Sequence, residues 1–118
     1  MERQNGGLTN FGIDAVREMN RLGIMLDLSH VGVATTQESI EVSDKPVAIT
    51  HANAKSYFDH RRNKTDQAIK TMADKGGVIG ATCIQGFLRN TYSSTIDDYL
   101  DAIDHFCLLY TSPSPRDS

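Results

Sequence analysis

Apolar residues recur along the chain in two alternating patterns, one spaced as in a helix and one unbroken as in a buried strand. The helical spacing predicts four helices, whose apolar positions lie within residues 11–22, 34–42, 68–73 and 96–106. Three short apolar runs predict strands at residues 24–28, 47–50 and 78–83, and the first of them has the composition of a strand buried on both faces. Thr9 or Asn10 can cap the first helix, and Ser94 with Asp97 resembles a capping box before the fourth.

This alternation of helix and strand is the order of parallel βα units. Parallel strands that are joined by helices need helices on both faces of the sheet or a closed barrel. A TIM-type (β/α)8 barrel has about 250 residues, so a chain of 118 residues supplies about three of its βα units. The sequence therefore predicts the α/β class, either as a small open domain or as part of such a barrel.

Composition excludes several classes of function. The net charge is -3, and no basic run stands out, so a nucleic-acid partner is not indicated. No apolar run approaches the ~20 residues of a membrane span, and the first residues are too polar for a signal peptide. Cys83 and Cys107 form no disulfide framework. These features favour a cytoplasmic chain.

Two histidines follow consecutive predicted strands at equivalent positions. His30 and His51 each come after an apolar run and a hydroxyl residue. The carboxyl ends of parallel strands meet on one ligand-binding face, so we expect the two imidazoles within about 3–4.5 Å, given ~2.0–2.1 Å for each Zn–N bond. They would form half of a zinc site. The residues alone leave a second reading open, in which both side chains simply begin loops.

Other polar residues are weaker candidates. Asp27 lies inside a predicted strand and is expected to accept hydrogen bonds from a neighbour. Arg61 and Arg62 follow His51 in a polar loop, where a guanidinium could bind a carboxylate through two parallel hydrogen bonds. Two further histidines are not expected to have a functional role, since His60 lies in the same polar loop and His105 is expected on a solvated face of the last helix.

Several stretches of the chain also form a pattern in a fixed order, at residues 7–12, 16–23, 27–31, 46–47, 50–54, 61–63 and 75–80. Together they resemble the membrane dipeptidase (renal dipeptidase) family of zinc metallopeptidases. The resemblance covers residues 6–106. It implies a (β/α)8 barrel that holds two zinc ions bridged by a glutamate and that cleaves dipeptides.

The resemblance also assigns roles to residues. His30 and His51 correspond to the two histidines that bind the second zinc, and Arg62 corresponds to the arginine that receives the terminal carboxylate of the substrate. It implies a dipeptide as partner, and it is compatible with a homodimer and with a membrane-anchored or extracellular location of the longer protein. The His-x-Asp pair of the first zinc, the bridging glutamate and the catalytic acidic residue have no counterparts here.

The last residues depart from the family pattern. Residues 107–118 end in a Ser/Pro-rich stretch, which predicts a tail that is disordered or is an artefact of sequencing. The predicted division is thus 1–106 for the barrel part and 107–118 for the tail, with Cys107 outside the native sequence.

The sequence also leaves two other classes of function open. One is another metal-dependent barrel hydrolase that acts on an ester, a lactone or an amide, because His30 and His51 fit it equally well. The other is a non-enzymatic α/β binding module. Only the stretch around Arg62 favours a substrate with a free carboxylate.

Overall fold

The computed structural model describes residues 6–89 and 93–111. Its elements, in chain order, are α1 (Asn10–Leu22), α2 (Val33–Val42), β1 (Ala48–Ile49), α3 (Asp66–Asp74), β2 (Val78–Ile79), α4 (Gln85–Leu88) and α5 (Ile96–Thr111). The four predicted helices are confirmed as α1, α2, α3 and α5. The short helix α4 was not predicted, because its four residues are too few to show a helical period.

β1 and β2 pair in parallel, with Ala48 opposite Val78 and Ile49 opposite Ile79. The pairing continues past the strands, because the Gly80 amide donates to the Ile49 carbonyl over 2.8 Å. The class is therefore α/β with parallel strands, as predicted. Both strands are shorter than the apolar runs that predicted them.

The prediction of a doubly buried strand at residues 24–28 is wrong in its first half. Only Asp27 forms a bridge, a parallel one with Ala48. Ile24 and Met25 are 51% and 66% exposed, because no described element packs over that part of the segment. Leu28, by contrast, is buried in the core.

The main core lies between the two-stranded sheet and helices α2 and α3. It consists of buried residues from both layers, namely Leu28, Ile40, Val47, Ile49, Ala52, Ala68 and Met72. A second cluster, of Ala54, Ile69 and Phe106, packs α5 against α3. Helices α2 and α3 thus share one core with the strands, and α5 packs on α3.

Helix ends follow the expected chemistry, with one correction. Thr9 accepts a hydrogen bond from the Gly12 amide at the start of α1, as predicted. At α5 the reciprocal cap is Thr95 with Asp98, one residue later than the predicted pair. Because α5 begins at Ile96, Thr95 and not Ser94 stands directly before the helix, and the Ser94 hydroxyl donates to the Gln85 carbonyl 2.8 Å away.

Helix α5 continues to Thr111 without a break at the predicted boundary. Residues 107–111 are therefore helical, and Cys107 is exposed on the helix. The rest of the predicted tail, residues 112–118, lies outside the described residues. Within the described ranges, no helix combines the length and apolar character that crossing a bilayer requires.

Candidate metal centre

The two predicted metal ligands meet at the carboxyl ends of neighbouring chain segments. His51 lies two residues after the end of β1, and His30 follows the segment that bridges to β1 through Asp27. The Nε2 atoms of the two rings are 2.8 Å apart, and the rings stand edge to face, with centroids separated by 4.9 Å. The structure thus places both imidazoles together at the expected end of the sheet.

His30 reaches this position through an unusual backbone conformation. Its φ is 69°, and it is the one non-glycine residue with positive φ among those described. A side chain in this region costs free energy that the surrounding structure must offset, and such residues cluster at functional sites. The turn after Leu28 directs the His30 ring back toward β1 instead of continuing the extended segment.

Asp27 is the acceptor around which these residues are arranged. Its Oδ1 accepts from the Ser29 amide (3.0 Å), the Ser29 hydroxyl (2.9 Å) and the Thr50 amide (3.1 Å). Its Oδ2 accepts from the Thr50 hydroxyl over 2.7 Å. Partial burial alone would raise the pKa of Asp27, but the hydrogen bonds from Thr50 and Ser29 outweigh it and lower the pKa to about 2.

His51 is held by the same two hydroxyl residues. The Thr50 Oγ1 lies 2.9 Å from the His51 Nδ1, and the His51 amide donates to the Ser29 Oγ over 3.1 Å. Gly80, which follows β2, packs directly against the Thr50 carbonyl, since an added Cβ at Gly80 would overlap the carbonyl oxygen. The chain after β2 therefore packs closely against Thr50, whose hydroxyl contacts the His51 ring.

The electrostatic surroundings favour the neutral form of His30. Desolvation is the largest cause that lowers the pKa of His30, and the nearby charge of Arg62 lowers it further. The His51 ring and Lys64 act in the same direction, while Asp27 opposes them. A neutral imidazole is the form that binds a metal ion.

Lys64 is a buried cation that sequence reasoning did not single out. It is 2% exposed, and its Nζ donates to the Val31 carbonyl (2.7 Å) and the Thr36 hydroxyl (3.1 Å). Burial lowers the pKa of Lys64 to about 8. The ammonium thus ties the residue after His30 to helix α2. In the sequence, Lys64 looked like one more polar residue of a loop.

Arg62 lies half-buried in the loop that leaves the same strand end. Its amide donates to the His60 Nδ1 over 3.2 Å, and the His60 ring packs on Phe87 with centroids 4.5 Å apart. Burial and the neighbouring cations, Arg61 first among them, lower the pKa of His60. His60 therefore supports the turn that carries Arg62.

Two buried asparagines organise this loop and were also missed. The side chain of Asn63 donates to the carbonyls of Phe58 (2.9 Å) and Phe87 (2.8 Å) and accepts from the Asn53 amide (3.1 Å). Asn53 in turn exchanges two hydrogen bonds with the Thr82 backbone. Nothing in the apolar pattern marks an asparagine as buried, because the type is common in exposed loops.

His105 does not join the site. Its Nε2 lies 2.9 Å from Asp66 and 3.1 Å from the Ser56 hydroxyl, and its ring is half-buried rather than fully solvated. Ser, His and Asp meet here, but serine and carboxylate both contact the same ring nitrogen. A catalytic triad needs them on opposite nitrogens, so this cluster links α5 to α3 and is not a nucleophilic centre.

The donor set fits zinc in kind but not in number. Two neutral imidazoles are typical zinc ligands, and nitrogens bound tetrahedrally at ~2.0–2.1 Å stand about 3.3 Å apart, so the rings need to separate only slightly. Among the described residues, no third His, Cys, Asp or Glu completes a group that could hold a metal ion. Asp27 is near, but Ser29 and Thr50 occupy its oxygens.

Comparison with known proteins decides the family. The sequence profile of the membrane dipeptidase family (peptidase family M19) matches residues 1–110. The chain belongs to the membrane dipeptidase family. The match extends beyond the residues that carried the resemblance, to a point inside the last turns of α5.

Proteins that are similar to this chain have names consistent with this result. An uncharacterised dipeptidase of Schizosaccharomyces pombe is 40% identical over 101 residues, which are 84% of this chain and 24% of that protein. An amidohydrolase of Pseudomonas aeruginosa is 46% identical with a TM-score of 0.81, covering 90% of this chain and 33% of that one. A metallopeptidase of Rhodobacter sphaeroides, liganded with a phosphinate mimic of the dipeptide L-Ala-D-Ala, is 32% identical with a TM-score of 0.82, covering 88% and 31%. This M19 chain thus spans about a quarter to a third of the length of these relatives.

Proposed function

We propose that the protein containing this chain is a zinc-dependent dipeptidase of the membrane-dipeptidase type, built on a (β/α)8 barrel. In this proposal His30 and His51 are ligands of one of two zinc ions, and Arg62 binds the terminal carboxylate of the substrate. The observation that carries it is the 2.8 Å approach of the two Nε2 atoms at neighbouring strand ends, in a chain of the M19 family. The name of the liganded Rhodobacter sphaeroides relative supports a dipeptide substrate.

Each residue has a definite task in this reaction. Zinc, when bound, lowers the pKa of a bound water and so supplies a nucleophile at neutral pH. His30 and His51 would each offer a ring nitrogen to the metal, and the surroundings that lower the pKa of His30 favour its metal-binding neutral form. Arg62 offers a planar, always charged guanidinium that can bind a carboxylate through two hydrogen bonds. This contact would restrict the enzyme to short peptides with a free carboxyl end.

The direct test is metal content together with hydrolysis. The complete gene product is purified, analysed for zinc, and assayed with dipeptides and with the same dipeptides amidated at the carboxyl end. We expect zinc to be present and free dipeptides to be cleaved in preference, with activity lost to a chelator and restored by zinc. Cleavage of esters or lactones alone would favour a different hydrolase, and a protein without zinc or turnover would favour a binding module.

The role of Arg62 has a matched control in the adjacent residue. Arg62→Lys keeps the charge but loses the planar geometry, so we expect a rise in KM for dipeptides of about tenfold or more, with zinc content unchanged. Arg61→Lys, at the exposed neighbouring position, should leave KM unchanged. Loss of zinc in Arg62→Lys, or an equal effect of both variants, would remove Arg62 from the substrate site.

The 118-residue chain alone should be inactive. A catalytic zinc has about three protein ligands, and the described residues bring only two imidazoles together. We expect no turnover of dipeptides by this chain in excess zinc, measured beside the complete protein. Zinc-dependent turnover by a monomer of the chain would show that it holds a full ligand set.

A further inference from the structure

We propose that Asp27 and Thr50 are positioning residues that fix the tautomer of His51. They hold its proton on Nδ1, so that Nε2 presents a bare lone pair to the site. The proposal concerns the same site as the proposed function and rests on it for its purpose. Its test, however, reads the proton position directly and does not depend on the reaction.

The direction of the hydrogen bonds follows from the number of protons available. An ionised carboxylate only accepts, and the Thr50 hydroxyl lies 2.7 Å from the Asp27 Oδ2. The single proton of that hydroxyl therefore goes to Asp27. At its 2.9 Å contact with the His51 Nδ1, Thr50 can only accept. The ring must donate from Nδ1, and in the neutral imidazole its Nε2 is then left without a proton.

The second hydroxyl of the cluster does not disturb this assignment. The Ser29 Oγ donates its own proton to the Asp27 Oδ1 over 2.9 Å and accepts from the His51 amide over 3.1 Å. Ser29 therefore has no proton left for Thr50, although the two oxygens are only 3.1 Å apart. Both hydroxyl protons, of Ser29 and of Thr50, are thus donated to the Asp27 carboxylate.

The Thr50 backbone holds the carboxylate, the hydroxyl and the ring at fixed positions relative to one another. Its amide donates to the Asp27 Oδ1 over 3.1 Å, and its carbonyl lies against Gly80 so closely that no Cβ would fit there. The neighbouring residue Ile49 is fully buried within the parallel pair. Carboxylate, hydroxyl and ring are therefore positioned by strand pairing, although Thr50 and Asp27 are open to solvent.

The proton between the two rings also has a definite position. The Nε2 atoms of His30 and His51 are 2.8 Å apart, so one of them must carry a proton. Because the His51 Nε2 is bare, the donor is the His30 Nε2. For His30 to bind a metal ion through that atom, its proton must pass to solvent while Nδ1 takes one up. His51 needs no such change, so Asp27 and Thr50 leave one of the two ligands ready for the metal.

The test measures tautomers in the metal-free complete protein, labelled with ¹⁵N at histidine. Nitrogen shifts separate protonated from bare ring nitrogens, and His51→Gln identifies the His51 signals. We expect the Nδ1–H form of His51 in the wild type. In Asp27→Asn, Oδ1 keeps its donors and the new amide donates to Thr50, whose proton then turns to the His51 Nδ1. We therefore expect the His51 proton to move to Nε2.

Further variants separate this effect from a general loss of structure. Thr50→Val removes the acceptor and should leave a mixture of tautomers, while Thr50→Ser should restore the Nδ1–H form. Thr71→Val is the matched control, because the Thr71 hydroxyl only donates within α3, to the Gln67 carbonyl. Zinc affinity, measured by titration, should fall about 10–100-fold in Asp27→Asn and Thr50→Val and stay unchanged in Thr71→Val.

The outcomes distinguish this inference from the proposed function. A wild-type His51 with its proton on Nε2 would overturn the inference, whether or not the protein cleaves dipeptides. An unchanged tautomer in Asp27→Asn would do the same. If the tautomers behave as expected but zinc is neither bound nor needed, the positioning inference stands and the proposed function fails.

Discussion

The strand-end cluster (Asp27, Ser29, His30, Thr50 and His51) and the loop that follows it (residues 52–64) are both rich in hydrogen bonds, but they are built in opposite ways. The cluster is open to solvent, with Asp27 and Thr50 exposed. The loop carries its polar groups inside the fold, where Asn53 is fully buried and Asn63 is 1% exposed. Water can replace a lost partner in the cluster but not in the loop.

Because of this difference, substitutions in one region should affect the chemistry of the site, and substitutions in the other should affect the stability of the fold. A buried polar group that loses its partner costs about 1–3 kcal/mol, whereas an exposed group regains most of its hydrogen bonding from water. Substitutions in the loop should therefore lower the free energy of unfolding, and substitutions in the strand-end cluster should alter proton positions and metal binding. Arg62 joins both regions, since it lies on the loop but its charge reaches His30.

The largest effect on stability should come from Asn63→Ala. The change removes three hydrogen bonds and leaves the carbonyls of Phe58 and Phe87 and the amide of Asn53 without that partner. We expect the free energy of unfolding to fall by about 3 kcal/mol, measured by urea denaturation. Asn10→Ala, at the exposed first position of α1, is the control and should change it by less than about 0.5 kcal/mol. Equal small effects would mean that the loop is not built as described.

Lys64 should make stability depend on pH in the alkaline range. Burial lowers its pKa from the ordinary 10.5 to about 8 in the folded state. Between these values the unfolded chain binds more protons than the folded one, so stability rises as the pH rises through this window. Lys64→Met should remove that rise, measured as unfolding midpoints over a pH series. Lys45→Met, at an exposed position, should keep it, and a rise that persists in Lys64→Met would refute the assignment.

The contrast also explains what the sequence could predict. The four main helices follow from apolar residues such as Ile69 and Met72, which recur at helical spacing and are buried where expected. His30 and His51 could be brought together because strand ends in a parallel sheet share one edge, an inference that needs no side-chain detail. Periodicity and strand order extend over many residues, so a prediction based on them stays correct when the ends of an element are placed slightly wrongly.

Features that depend on individual contacts could not be predicted. The pattern of residues 24–28 indicated a buried strand, yet burial of Ile24 and Met25 depends on what packs over them. Lys64 and Asn63 read as ordinary loop residues, because a buried polar residue is recognised only by its partners. The cap at α5 moved by one residue because the helix begins at Ile96, a boundary that the apolar pattern does not fix to a single residue.

The smallest effect on stability should come from Ser29→Ala, within the strand-end cluster. The change removes one donor to Asp27 and the acceptor of the His51 amide. Asp27 keeps both hydrogen bonds from Thr50, and the exposed carboxylate can recruit water in place of the lost hydroxyl. We expect a loss below about 1 kcal/mol by urea denaturation, with the Nδ1–H tautomer of His51 retained because Thr50 still accepts from the ring. A loss as large as that of Asn63→Ala would show that the cluster is as structural as the loop. A change of tautomer in Ser29→Ala would mean that Thr50 does not hold the ring by itself.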